Sequence, residues 1–234
     1  MLDSSAMNTH APVRNAVVVA DAPAVDLAPF RLLIERADLV IAADGGARYL
    51  LALGILPQIA VGDFDSLDPA ALDRLIAAGV EVQRHPAHKA ETDLELALLQ
   101  AVEHGAGCVY VLAALGGRAD QHLANLQLLT HPALEALDVR LLHERWQVFV
   151  IRERARIVGA AGDIVSLLPM TEAVTGIVTE GLYYPLRDEA LRLGPARGVS
   201  NVLLADEAQV TIRDGILLCM HERQAVAPGS ERGH

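Results

Sequence analysis

Lysine is nearly missing from this sequence. Lys89 is the only one, and the rest of the positive charge is carried by arginine and histidine. Basic residues are in deficit altogether, with 19 Lys and Arg against 30 Asp and Glu and a formal charge of −11. That balance argues against a nonspecific nucleic-acid binder, which needs a basic face to neutralise phosphates. The same acidity is also ordinary solubility chemistry. Cysteine is almost as scarce: Cys108 and Cys219 each sit inside an apolar run, CVYVLAAL and GILLCM. Thiols so placed predict buried, inert side chains and no disulfide framework, which fits a reducing cytoplasm. No apolar run approaches the roughly 20 residues that span a bilayer. The opening MLDSSAMNTHAPVRN lacks the basic-then-apolar layout of a secretion signal, so the expectation is a soluble cytoplasmic protein.

Several chemical signatures are absent as well. Without G-x-x-x-x-G-K-[ST] there is no P-loop, and without G-x-S-x-G there is no nucleophile elbow. Gly105-Ala-Gly107 precedes an apolar run instead of following one, which makes it a turn and not a dinucleotide fingerprint. His85-x-x-His88 has no further ligands at zinc spacing. The chain has no internal repeat.

What is present is a large apolar fraction, 52%, enough to bury a core. Between residues 13 and 145, short β-rich runs (VRNAVVVA, ADLVIAAD, PQIAVGD, VEVQRH, GCVYVLAAL, DVRLLHE) alternate with helix-length segments. The runs are largely continuous and apolar, as in parallel strands covered on both faces, and the alternation is that of a doubly wound α/β domain. From Trp146 to residue 223 the texture changes to runs such as WQVFVIRE, DIVSLLPM, AVTGIVTE and AQVTIRD, broken by Gly, Pro, Asp and Arg. Helical periodicity is nearly lost there, which predicts a small antiparallel β domain, sandwich or barrel. Residues 1–12 and 224–234 read as flexible ends.

Ligands of open α/β sheets bind beyond the carboxyl ends of the strands. That rule sends five carboxylates to one edge: Asp44 before Gly45-Gly46, Asp63 and Asp65 after PQIAVG, Asp93 at a helix start, and Asp120 after Gly116-Gly117. Converging anions repel, so the set calls for a cation, and hard oxygen donors suit Mg²⁺ better than zinc. Two residues apart in an extended chain, Asp63 and Asp65 would point the same way, with Gly62 leaving the backbone room. Competing structural explanations exist. Asp68-Pro69 reads as a helix cap followed by proline at the first helical position. Thr92 to Glu95 fits a capping box, which would account for Asp93 without chemistry, and Asp44-Gly-Gly is also a turn signal. Lys89, just before that box, is a candidate phosphate ligand or a solvated loop side chain; Arg118 is a phosphate ligand or a surface ion pair.

Taken in order, ADGGARYL, VGDFDSL, HKAETDLELAL and LGGRADQHLANLQLL resemble the motifs of thiamine pyrophosphokinases over nearly all of residues 15 to 220. The resemblance implies an α/β catalytic domain over 13–145 followed by a C-terminal antiparallel β-sandwich over 146–223, working as a homodimer. It also implies transfer of the pyrophosphoryl group of ATP to the hydroxyl of thiamine, with Mg²⁺. By the same resemblance Asp44, Asp63, Asp65 and Asp93 hold the metal, and Asp63, Asp65, Asp93 and Asp120 serve catalysis. Asp44, Gly45, Gly46, Lys89, Thr92 and Arg118 would meet ATP; Tyr184 of TEGLYYPL with Ser200 and Asn201 of RGVSNVLL would meet thiamine. A diphosphokinase for another hydroxymethyl compound, such as a hydroxymethylpterin, and a noncatalytic nucleotide-binding protein are the alternatives.

Overall fold

The computed structural model describes residues 13–23 and 25–224. The expected flexible ends therefore lie, apart from Gln224, outside the described residues. Contacts divide the chain into two units, residues up to 125 with 131–139, and 126–130 with those from 140 onward.

In the first unit, β1 (Asn15–Val19), β2 (Leu39–Ala43), β3 (Ile59–Gly62), β4 (Glu81–Arg84) and β5 (Cys108–Leu112) pair in parallel in the order β5–β1–β2–β3–β4. The register places Val17 opposite both Val40 and Tyr110. Every residue of β2 and all of β1 but Asn15 are buried, which is why these runs are continuously apolar. β4 departs from that expectation. It is the edge strand, with no fully buried residue: Glu81 and Arg84 are exposed, and the half-buried Gln83 is satisfied by donating to Gln100 at 2.9 Å and Glu81 at 2.8 Å.

The crossovers are α1 (Arg31–Glu35), α2 (Gly46–Ala52), α3 (Pro69–Ala77) and α4 (Asp93–Glu103), with α5 (Ala119–Leu128) after β5. Asp68 caps α3, its side chain accepting the Ala70 N–H at 2.8 Å, ahead of Pro69 at the first position. Thr92 caps α4 through the Glu95 N–H at 3.2 Å, and Leu94, Ala97, Leu98 and Ala101 form its buried face. The chain steps from β1 outward to β4 and then returns to the other side of β1 as β5. Connections on the two sides of β1 leave in opposite directions, opening a crevice at the carboxyl ends of β1 and β5.

The second unit is antiparallel throughout. β6 (Asp138–His143) runs into β7 (Trp146–Ile151), and β14 (Leu217–Glu222) lies between β7 and β9 (Ile164–Pro169), with the short β12 (Asn201–Val202) beyond β9. β8 (Arg154–Val158), β13 (Glu207–Thr211), β10 (Ala173–Glu180) and β11 (Arg187–Arg192) form a separate four-stranded sheet in the order β11–β10–β13–β8. Side chains from both sheets, among them Phe149, Val165, Leu217, Val174, Ile177 and Val210, share one core, which makes this a sandwich. Cys219 lies in that core, its thiol pushed up to about 12 by burial, and is inert. Asp163 and His221 form a buried pair at 2.9 Å, and Asp163 also accepts the N–H groups of Ala160 and Gln224 at 2.9 and 2.8 Å.

Candidate functional site

The site is built where β2 and β3 end. Asp44 leaves β2 through a left-handed turn, φ 46°, that folds its carboxylate inward until the residue is only 9% exposed. Its Oδ1 accepts the Phe64 N–H at 2.9 Å and its Oδ2 accepts the Ser66 hydroxyl, so the loop after β3 is wrapped around it. Gly62 allows that approach: a Cβ there would lie 3.0 Å from both Cα and Cβ of Asp44.

The two acids of VGDFDSLD converge for a different reason from the one their spacing suggests. Phe64 between them is left-handed, φ 61°, so the stretch is a turn and not extended chain. The Asp65 N–H donates to Asp63 Oδ1 at 3.1 Å, and this local bond, not strand alternation, curls one carboxylate beside the other. Asp44, Asp63 and Asp65 each present an oxygen within 4.8 Å of the others. The charge of Asp63 pushes the Asp65 pKa up, with some desolvation and the charges of Asp44 and Asp93 adding to it. Three hard oxygen donors whose charges oppose one another are suited to a divalent cation.

The crevice beside this group is a cleft of ≈ 320 Å³ lined by Asp21, Asp44, Thr92, Asp93, Gln121 and Asn125 among alanines. Asp93 stands in this cleft and outside the trio. Lys89, whose side chain is 12% exposed, ion-pairs with it at 2.5 Å from the loop ahead of α4, four residues earlier in the chain. Lys89 is therefore a half-buried partner of the cleft and not a solvated loop residue. Gly45 and Gly46 let α2 start against β1. A Cβ at Gly46 would lie 2.0 Å from the Val19 carbonyl oxygen, and one at Gly45 would lie 2.4 Å from Asp21 Oδ2.

Asp120 is the exception among the five expected carboxylates. It is exposed and held by Arg118 in a two-point pair, Nε to Oδ1 at 3.1 Å and Nη2 to Oδ2 at 2.7 Å. The Arg118 hydrogen bonds pull its pKa down to about 2, and the Asp120 carboxylate in turn raises that of Arg118.

Asp21 was not singled out by sequence, yet it lines the same cleft two residues beyond β1. The strand-end rule applied to VVVAD would have found it. Burial raises its pKa and Arg48, 2.7 Å away, opposes the rise.

In the second unit, Tyr184 stands on the rim of a ≈ 450 Å³ cavity with Leu167, Pro185, Arg197, Val199 and Asn201. Its ring is exposed and packs edge-on against Tyr183 with 4.8 Å between centroids. Asn201 is buried and clamps the Tyr184 backbone, accepting its N–H at 2.9 Å and donating to its carbonyl at 2.8 Å. Ser200 is left-handed, φ 60°, with its N–H on Ser166 Oγ at 3.0 Å.

Two family models match in succession: the catalytic domain of thiamin pyrophosphokinase over residues 30–141 and the vitamin B1 binding domain of thiamin pyrophosphokinase over 150–217. A thiamine pyrophosphokinase of Bacillus subtilis is 31% identical over 182 residues, spanning 77% of this chain and 85% of that protein. The chain belongs to the thiamine pyrophosphokinase family. The crystal structure of thiamine pyrophosphokinase from B. subtilis superposes with a TM-score of 0.80 at 27% identity, covering 91% of this chain and 100% of the other. A thiamine pyrophosphokinase of Oryza sativa subsp. japonica is 24% identical over 226 residues, 84% of this chain and 83% of that one. The Asp44–Asp63–Asp65 group, Lys89, Asp93, Arg118 and Asp120 all lie within the stretch matched to the thiamine pyrophosphokinase catalytic domain. Tyr184, Ser200 and Asn201 lie within the vitamin B1-binding match, and Asp21 lies outside both.

Proposed function

We propose that this chain transfers the pyrophosphoryl group of ATP to the hydroxyl of thiamine, forming thiamine diphosphate and AMP. The hydroxyl oxygen attacks the β-phosphorus, the bond from that phosphorus to the bridging oxygen of AMP breaks and leaves its electron pair on the AMP phosphate, and the hydroxyl proton is released to solvent water. The observation that carries this reading is the Asp44–Asp63–Asp65 trio at the strand ends of a chain of this family. The donor set fits Mg²⁺: three carboxylates, no sulfur or imidazole, and a raised pKa at Asp65 that an added cation would relieve. Asp93 lies in the adjoining cleft and completes the acidic side. Held by Asp44, Asp63 and Asp65, Mg²⁺ would supply the positive charge that neutralises a polyphosphate.

The residues of the chain do the positioning. Asp44, fixed by the Phe64 N–H and Ser66, sets where the trio faces. Lys89, screened from solvent and already beside Asp93, offers a point charge to a phosphate oxygen. Arg118 offers a second, planar one. Thr92 lines the crevice where a polyphosphate would lie, and Gly45 and Gly46, by letting α2 start tight against β1, set the turn that carries Asp44 to its edge. Asp120, with its pKa drawn down to about 2, accepts a hydrogen bond from the thiamine hydroxyl and orients it instead of removing its proton. Tyr184 stacks on the cationic ring of thiamine, a contact worth on the order of 0.5–2 kcal/mol. Asn201 holds Tyr184 in place, and Ser200, its exposed neighbour in the chain, supplies a polar contact to thiamine. Residues 13–145 serve as the ATP-binding catalytic domain and 146–223 as the thiamine-binding domain, in a cytoplasmic homodimer.

The test is a substrate comparison. Purified protein with ATP and Mg²⁺ is expected to release AMP with thiamine and not with a hydroxymethylpterin. AMP release with the pterin alone would reassign the substrate.

A further inference from the structure

The cleft of the first unit has an apolar side that its acids do not explain. Ala43, Ala113, Ala114 and Ala124 line it together with Asp44 and Asp93. Walls of Cβ methyls give a planar ring a flat contact and give a phosphate nothing. Ala113, just past β5, is left-handed at φ 53° and fully buried, although it carries a Cβ. Its carbonyl accepts the Ala22 N–H at 2.8 Å, and the next carbonyl, that of Ala114, accepts Asn125 Nδ2 at 2.7 Å. A backbone conformation that a Cβ disfavours is held from both sides, as at sites where a polar group has to be aimed. The bond to Ala114 also settles which way the amide of the half-buried Asn125 faces. With Nδ2 tied to the backbone, Oδ1 is the end open to a ligand in the cleft, and none of the described residues donates to it. Gln121, one turn earlier on α5, lines the cleft too, but no described residue anchors its amide, which can present either end. A fixed acceptor discriminates between an N–H and a carbonyl on a ligand; a free amide does not.

We propose that Asn125 is a specificity-determining residue: its Oδ1 accepts a hydrogen bond from the amino group of a planar heteroaromatic ring lying on the alanines of the cleft. This rests on the activity proposed above, whose two substrates each carry such a group, the exocyclic amine of adenine and that of the thiamine pyrimidine. A carbonyl oxygen in place of the amine sets two acceptors against each other, so the oxo analogue of the bound ring is disfavoured at this position.

Calorimetric titration of the full chain in Mg²⁺ tests this with two ligand pairs, ATP against inosine triphosphate and thiamine against oxythiamine. In each pair a carbonyl replaces the amine, and the pair that responds identifies the ring. The wild type is expected to favour the amine about 10-fold in one pair. Asn125→Ala should bring that ratio to within about 3-fold, chiefly by weakening the amine ligand, and leave the ratio of the other pair as it was. A residue that only staples α5 to the end of β5 would not move the ratio, and each ratio is taken within one preparation. Asn125→Leu, close in size and without an acceptor, should behave as Asn125→Ala and replaces it if the alanine variant does not fold. No amine preference in either wild-type pair, a preference that survives in the variants, or equal weakening of all four ligands would each overturn the proposal. The expected ratios together with no AMP from ATP and thiamine would overturn the activity reading instead and leave the role of Asn125 standing.

Discussion

At the scale of single residues the trio is a set of charges that folding alone does not favour. Asp65→Asn should remove the repulsion from Asp63 and leave the melting temperature of the metal-free protein unchanged or higher, while lowering turnover by about 10²-fold or more. The sign with pH follows. A carboxyl group whose pKa is raised on folding opposes the fold once it ionises, so any gain in Asp65→Asn belongs to neutral pH. It should shrink as the pH falls towards the ordinary carboxylate value of 3.8, which melting curves across that range will show. Asp120 behaves oppositely, its pKa drawn to about 2, so it stays ionised through the working range and Asp120→Asn should lower activity without shifting the pH profile. Asp44, Asp63 and Asp65 were legible because acids after apolar runs sit at strand ends. The partnership of Asp120 with Arg118 was not, since spacing leaves open whether an arginine two residues back faces the carboxylate or a phosphate. Nor was the left-handed Phe64, because an aromatic residue carries no turn signal of its own.

At the scale of elements, close approach decides which positions are intolerant. The Cβ of Gly46→Ala would meet the Val19 carbonyl at 2.0 Å, forcing α2 away from β1; a loss of about 1–3 kcal/mol in denaturant unfolding is expected. Asp163→Ala would strand the buried His221 and two backbone N–H groups, and should cost about 3–5 kcal/mol by the same measurement. The parallel strands were readable from their unbroken apolar runs, and α3 and α4 from their caps. β11 was not, because RDEALR is charged and buries only Leu191; it is a strand through its pairing with β10, which no local pattern announces. β4 was found for the wrong reason, being an edge strand with partial cover and not a buried one.

At the scale of the whole molecule the motif order carried the most information, because acids scattered over residues 44 to 93 acquire meaning only when a parallel sheet gathers their loops. A nucleotide and cation that bind only the folded chain must stabilise it. Mg²⁺ and ATP at 100 times their dissociation constant should add about 2.7 kcal/mol, visible as a higher melting temperature that EDTA reverses. Sedimentation should give twice the monomer mass if the chain is a homodimer. The most direct measurement follows both products of one reaction containing purified protein, ATP, Mg²⁺ and thiamine. AMP and thiamine diphosphate are expected in equal amounts from the wild type and in neither form from a folded Asp63→Asn/Asp65→Asn variant. No AMP from the wild type, or undiminished AMP from that variant, would contradict pyrophosphoryl transfer at the Asp44–Asp63–Asp65 site.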